Sequence, residues 1–217
     1  MKITYLGHSA ILMEGSKTIL IDPFISGNPQ AKNISLPDRI DFIVVTHDHS
    51  DHIGDAFEIA KERLSTIVTQ HEIAIMAQEK GLNAEGMNVG GPVELSNVKF
   101  YFTNAVHSSG TGHPMGAVIE MEGKRLYHAG DTGLFSDMRL ISDYFRPDLA
   151  FLPIGGRYTM DEEQAAYALK NLLRVKKVIP IHYNTWPPIS ADPMRFRELV
   201  GDAAEVIILS IGQSTEI

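Results

Sequence analysis

The stretch VVTHDHSDH, residues 44–52, puts three histidines and two aspartates into its last six positions. Reduced to H-x-H-x-D-H, it comprises His47, His49, Asp51 and His52. Neutral imidazoles and carboxylates at this density are ligands for a divalent cation. Two imidazoles need at least one further protein ligand for a catalytic site that keeps a position for water. His47 and His49 stand two residues apart at the end of an apolar run, so in extended chain both rings point the same way. Asp51 and His52 fall where a helix begins and are aimed differently, so one stretch can serve two metals side by side. The competing reading, a solvated polar loop, fits this pattern far less well.

The ligands that this stretch lacks are expected at other strand ends. His107 follows VKFYFTNAV, Asp131 follows RLYHAG and His182 follows KKVIPI. Each sits where loops leave a β run and gather into a site. His8, in YLGHSA, lies just past the first β run, and a proton-transfer or substrate-contact role is expected of it. The other histidines read differently. His71 opens a helix and reads as a surface or capping residue, and His128 alternates away from Asp131 along its strand and reads as structural. His113, in GTGHPMG, is balanced between substrate contact and an ordinary loop position. Arg157, Tyr158 and Asn184, beside the PIGG turn and the last candidate ligand, are candidate substrate contacts, with ordinary loop residues as the equal alternative.

The elements that must carry these residues follow from periodicity. KITYLG, AILME and KTILIDP read as strands, and the fully apolar FIVVT reads as a buried strand that enters the histidine cluster. Ile53, Ala56, Phe57, Ala60 and Leu64 keep helical spacing. STIVTQ is a strand, and 72–80 is a helix stopped by Gly81. VKFYFTNAVH, GAVIEME and KRLYHAGD are strands separated by polar or glycine turns. Residues 134–144 read as a helix, DLAFLPIGG as a strand, 161–173 as a helix with an acidic start. KKVIPIH is a strand, 193–200 a helix and EVIILS the last strand. Strand–helix alternation in both halves, with no low-complexity linker, predicts an α/β fold. The expected arrangement is two mixed β-sheets flanked by helices, a four-layer αββα sandwich, in a single domain spanning 1–217.

Composition narrows the function. The chain has 217 residues, 44% of them apolar and 21% charged, which suits one substantial globular domain. No apolar run reaches the ~18 residues of a membrane helix, and the N-terminal stretch lacks the features of a signal peptide. With no cysteine, disulfides and thiolate ligands are excluded, which fits a cytoplasmic protein. A net charge of −8 without a block of Lys or Arg argues against nucleic acid as a partner and leaves a small-molecule substrate.

Together, H-x-H-x-D-H, His107, AGDT with Asp131 and IHYN with His182 resemble the metallo-β-lactamase superfamily, in order and in rough spacing over nearly the whole chain. GHSA, DPFISGNP, PIGGRYTM and HYNTWP look more narrowly like its small metal-dependent hydrolase branch. That branch is similar to the L-ascorbate-6-phosphate lactonases and, more distantly, to phospholipase D-type phosphodiesterases. The resemblance implies the αββα fold with a dinuclear site. His47, His49 and His107 would hold one metal, Asp51, His52 and His182 the other, and Asp131 would bridge them. Asp22, in LIDP, would order the histidine-rich loop from behind.

The implied activity is hydrolysis, in which a hydroxide between two metals attacks a carbonyl or phosphoryl centre. Asp51 or Asp131 would orient it, and His8 joins them as a catalytic candidate. Two divalent ions outweigh Asp51, Asp131 and one hydroxide in charge, so a small anionic ester, phosphoester or lactone is the expected substrate. Imidazole-rich ligation suits Zn²⁺, with Mn²⁺ or Fe as the alternatives. The similar lactonases raise a homo-oligomer as one option. The chain is too short for an added nucleic-acid-processing domain, and His49 stands where flavodiiron relatives carry Glu. A mononuclear iron oxygenase of the persulfide dioxygenase kind and a non-catalytic metal-binding module are the rival readings.

Overall fold

A computed structural model describes residues 1–32 and 34–217. The chain divides into two compact units, each built on its own sheet. The first comprises Met1–Asn88, Ser108–Pro114 and Leu209–Ile217; the second comprises Val89–His107 and Met115–Ile208.

The first unit opens with three strands, β1 (Lys2–Gly7), β2 (Ala10–Glu14) and β3 (Thr18–Ile21). These pair antiparallel in sequence order, and the chain's final strand, Ser214–Glu216, is antiparallel to β1 on the outer edge. On the other side of β3 the sheet turns parallel, through β4 (Phe42–Val45), β5 (Thr66–Gln70) and β6 (Ala84–Met87). Parallel strands are covered on both faces, so they need a continuous apolar run rather than alternation. All four residues of β4, FIVV, are buried. Short α1 (Ser50–Ile53) and α2 (Ala56–Arg63) link β4 to β5, and α3 (His71–Glu79) links β5 to β6. Ala56, Ile59 and Ala60 of α2 and Ile73 and Ala77 of α3 share one core with Leu20, Ile43, Val45 and Ile67.

The helical spacing from Ile53 to Leu64 is therefore split into two helices. The break is Gly54, with φ +41°, where an added Cβ would lie 2.4 Å from the Pro23 carbonyl oxygen. Only a residue without a side chain lets the backbone close on that carbonyl.

The second unit mirrors the change from antiparallel to parallel pairing. β7 (Val93–Leu95), β8 (Val98–Asn104), β9 (Met115–Met121) and β10 (Lys124–His128) are antiparallel neighbours. β11 (Leu149–Pro153), β12 (Lys177–Ile181) and β13 (Glu205–Val206) continue from β10 in parallel. The linking helices are α4 (Met138–Phe145), α5 (Glu162–Asn171) and α6 (Pro193–Val200). Asp161 caps α5 by accepting a bond from Gln164 N, and Asp192 caps α6 at Met194 N, with Pro193 in the first turn. Ala165, Ala168 and Leu169 of α5 and Phe196 and Val200 of α6 fill one core with Tyr127, Ala150, Leu152 and Val178. Each fully buried large side chain there contributes about 1.5–3 kcal/mol.

Two further expectations are corrected. The helix anticipated over 134–144 starts only at Met138, because Met138 N and Arg139 N close turns on Phe135 O and Ser136 O. The run EVIILS pairs as a strand only at Glu205–Val206, and Leu209–Ile217 belongs to the first unit, where Ser214–Glu216 (β14) is the last strand. Edge strands β6 and β7 lie in a polar stretch with no strand-like period.

Direction now decides where side chains meet. In the second unit β8 and β10 are both antiparallel to β9, so they run the same way, and β10, β11 and β12 run parallel. The C-terminal ends of all four strands therefore share one edge of that sheet. In the first unit the register pairs Ile21 with Val44, which sets Asp22 beside the chain leaving β4.

Candidate metal centre

Each unit carries a cluster of histidine and aspartate side chains. In the first unit, His47 follows Thr46 just past β4 and is fully buried, while His49 is half-buried. His47 Nε2 lies 2.9 Å from His49 Nδ1. Behind them, Asp22 is completely shielded from solvent. Its Oδ1 accepts the Thr46 backbone N–H at 2.8 Å, and its Oδ2 accepts the Thr46 hydroxyl at 2.7 Å. His52 Nδ1 sits 2.7 Å from the same Oδ2, and Thr46 Oγ1 lies 3.1 Å from His47 Nδ1.

The protons on this network follow from its one fixed acceptor. A carboxylate only accepts, so His52 carries its proton on Nδ1 and gives it to Asp22. The Thr46 hydroxyl proton also goes to Asp22, so Thr46 Oγ1 accepts from His47 Nδ1. One buried carboxylate thereby sets the tautomer of two imidazoles, and both keep Nε2 as a lone-pair donor. Metal-ligating histidines are oriented in just this way by outer partners.

Asp51 and His52 lie on α1, and Asp51 Oδ2 is 3.1 Å from His8 Nε2. His8 is fully buried, so within this unit it meets Asp51 and not solvent. Asp48, between the two leading histidines, accepts Ser109 Oγ at 2.8 Å and Gly110 N at 2.7 Å, which anchors the 108–114 loop. Gln70 holds the same loop through Thr111 O and His113 N. His113 and His71 are both exposed.

In the second unit, the shared strand edge brings His107, Asp131 and His182 together. Asp131 Oδ2 lies 3.5 Å from His107 Nε2 and 3.0 Å from His182 Nε2, so one carboxylate oxygen sits between two imidazoles. Asp131 and His182 are buried. Thr132 ties the loop together: its hydroxyl accepts Val106 N at 3.0 Å and donates to Gly133 O at 2.8 Å. Its carbonyl takes Met160 N at 2.9 Å. His182 holds a left-handed φ of +54°, uncommon outside glycine. Burial pushes the neighbouring Tyr183 phenol above its ordinary value and keeps it neutral. His128 is buried in β10 and accepts Gly130 N through Nδ1 at 3.1 Å.

The three candidate substrate contacts lie in this unit too. Arg157 and Tyr158 occupy the exposed turn after β11, with the guanidinium 5.4 Å from the phenol ring centre. Asn184 commits both ends of its amide to the backbone of Ala191, at 2.9 Å each, closing the loop after His182. Thr46 and Thr132 were not singled out from sequence. Their only signal is that each directly adjoins a candidate ligand.

The sequence matches the β-lactamase superfamily domain over residues 17–183. The chain belongs to the metallo-β-lactamase superfamily. A UPF0173 metal-dependent hydrolase of Korarchaeum cryptofilum is 48% identical over 222 residues, covering 100% of both chains. One from Thermococcus onnurineus is 48% identical over 225 residues, again covering 100% of both. The solved structure of Igni18, a metallo hydrolase from the hyperthermophilic archaeon Ignicoccus hospitalis, is 44% identical, covers 100% of this chain and 98% of its own, and superposes with a TM-score of 0.93. The chain is thus a metal-dependent hydrolase with the metallo-β-lactamase fold, two mixed sheets flanked by helices. The donors of both clusters fit that chemistry. They are imidazole nitrogens and largely buried carboxylates with no thiolate, a set for divalent cations of borderline or hard character.

Proposed function

We propose that the two clusters act as one dinuclear centre that hydrolyses a small anionic ester, phosphoester or lactone. In this reading His47, His49 and His107 hold one ion, Asp51, His52 and His182 the other, and Asp131 binds both. Zn²⁺ is the proposed ion for so imidazole-rich a set. Bound divalent ions lower the pKa of water to about 7 and polarise the oxygen of the attacked centre.

The observation that carries the reading is the Asp22–Thr46 relay. A buried carboxylate that fixes two imidazole tautomers, both with Nε2 left as donor, has little purpose in a fold without a cation. The chain's own residues then divide the work. Asp22 and Thr46 hold the imidazoles in the ligating tautomer. Asp51 and Asp131 offer acceptor oxygens that orient a water proton. Arg157, stacked on Tyr158, offers a guanidinium to an acidic group of the substrate, and Asn184 shapes the adjoining loop.

The test is to strip the protein with a chelator, reload it with Zn²⁺, and assay both forms against phosphodiesters, lactones, thioesters and β-lactams. The reading expects turnover of an anionic member only in the reloaded form, and its loss in His49→Ala. Equal turnover by the stripped protein, or by His49→Ala, would overturn it.

A further inference from the structure

β1 and β2 form a hairpin in which Gly7 pairs with Ala10, so His8 and Ser9 are the whole loop. Two-residue hairpin loops need positive φ at the first position, and Gly, Asn or Asp are the usual occupants. Here the position belongs to His8, with φ +55°. Hairpin tips are normally solvated, yet His8 is completely buried. A residue that breaks a local rule on both counts is kept for what its side chain does.

That side chain is fixed on several sides. Its ring stands edge-on to Phe24 at 5.7 Å and to His52 at 5.6 Å between centroids. The Tyr5 hydroxyl donates to the His8 carbonyl at 3.2 Å, which pins the turn itself. The ring's Nε2 lies 3.1 Å from Asp51 Oδ2.

We propose that His8 is a positioning residue for Asp51: its Nε2–H holds Oδ2, so that Asp51 presents its other oxygen as a single ligand. This rests on the dinuclear reading above, in which Asp51 binds the second ion. Without the bond, a carboxylate that is 22% exposed is free to turn its face or bind through both oxygens. With it, Asp51 and His52 on α1 keep one arrangement. His8 is therefore to Asp51 what Asp22 is to His52.

The experiment compares His8→Asn with His8→Gln. Asn suits the turn conformation but is too short to reach Asp51, whereas Gln carries an amide donor about as far from Cβ as the imidazole Nε2. Zn²⁺ titration by equilibrium dialysis, on apo-proteins shown to melt cooperatively, should find the second equivalent weakened roughly 10–100-fold in Asn. In Gln it should stay within about tenfold of wild type. Unchanged binding of both equivalents in Asn would reduce His8 to a turn residue and overturn the proposal. Equal loss in Gln and Asn would overturn it too, by showing that the ring itself is needed.

A second measurement needs no variant. Long-range ¹H–¹⁵N correlation on Zn²⁺-loaded, ¹⁵N-histidine-labelled wild type should show His8 as the Nε2–H tautomer. A proton on Nδ1, with Nε2 bound to the ion, would make His8 a ligand and overturn the proposal. If wild type takes up no Zn²⁺ at all, the dinuclear reading itself fails, which separates the two outcomes.

Discussion

Replacing Asp22 by Asn keeps the shape of the side chain and removes one acceptor. Asn also tolerates the left-handed backbone that Asp22 adopts at φ +43°, so backbone strain does not confuse the result. In wild type, Oδ1 serves Thr46 N, and Oδ2 serves both the Thr46 hydroxyl and His52 Nδ1. If the amide keeps its oxygen on Thr46 N, its NH₂ confronts two donors. His52 can accept from it only by moving its proton to Nε2, which removes that nitrogen as a ligand. The Thr46 hydroxyl must then swing to donate elsewhere, and His47 Nδ1, 3.1 Å away, is the nearest acceptor it can create. His47 loses its ligating tautomer as well.

The loss of an outer partner typically weakens metal binding 10–100-fold. Two imidazoles affected together give at least about tenfold, and up to about 10⁴-fold if the effects multiply. If instead the amide flips, its NH₂ meets the Thr46 backbone N–H, and a stranded buried donor costs about 1–3 kcal/mol of stability. In a chain of this size that is about 2–4 °C in melting temperature per kcal/mol. The assay is competition for Zn²⁺ with a chromophoric chelator, alongside thermal melts of the apo-protein. Wild-type affinity together with a wild-type melting temperature would refute the relay.

Three further outcomes are expected. Gly155→Ala places a Cβ 2.2 Å from the His182 carbonyl and 2.9 Å from Ile189 Cβ. The forced backbone shift should cost about 1–3 kcal/mol and weaken metal uptake at His182, read by melting and by metal content after dialysis. At Asp41, burial acts to raise the pKa, but bonds from Thr18 N and Arg39 and the charges of Lys17 and Arg39 prevail and hold it below its ordinary 3.8. A depressed carboxyl stabilises the fold above the unfolded value and stops doing so as pH falls through the folded one. Asp41→Asn should therefore be less stable than wild type at about pH 7, with the gap closing below 3.8, in denaturant melts across pH. If Arg157 meets the acidic group of the substrate as proposed, Arg157→Met should raise KM for anionic substrates while sparing kcat and metal content.

The two clusters differ in how much of them is visible in one dimension. His47, His49, Asp51 and His52 fall within six positions, and His107, Asp131 and His182 each follow a β run, so residue type and position alone draw attention to them. Thr46 and Thr132 carry no such mark. A threonine beside a ligand is ordinary, and its role exists only because parallel pairing of β3 and β4 sets Asp22 next to Thr46, or because Met160 N reaches Thr132 O. The same holds for the fold. β4 could be read from FIVV because burial on both faces demands an unbroken apolar run. β6, β7 and β14 are short edge strands whose polar residues take strand form from a neighbour rather than from their own period. Asn184 is the opposite case: its place beside His182 draws notice, while the bonds by which its amide closes a loop on Ala191 have no sign in the sequence.

The most direct test of the dinuclear centre is anomalous diffraction at the zinc edge from crystals of the Zn²⁺-loaded protein. The account predicts two peaks per chain. One is bounded by His47, His49 and His107, the other by Asp51, His52 and His182, with Asp131 reaching both. A single peak, or peaks held by the residues of one unit alone, would contradict it.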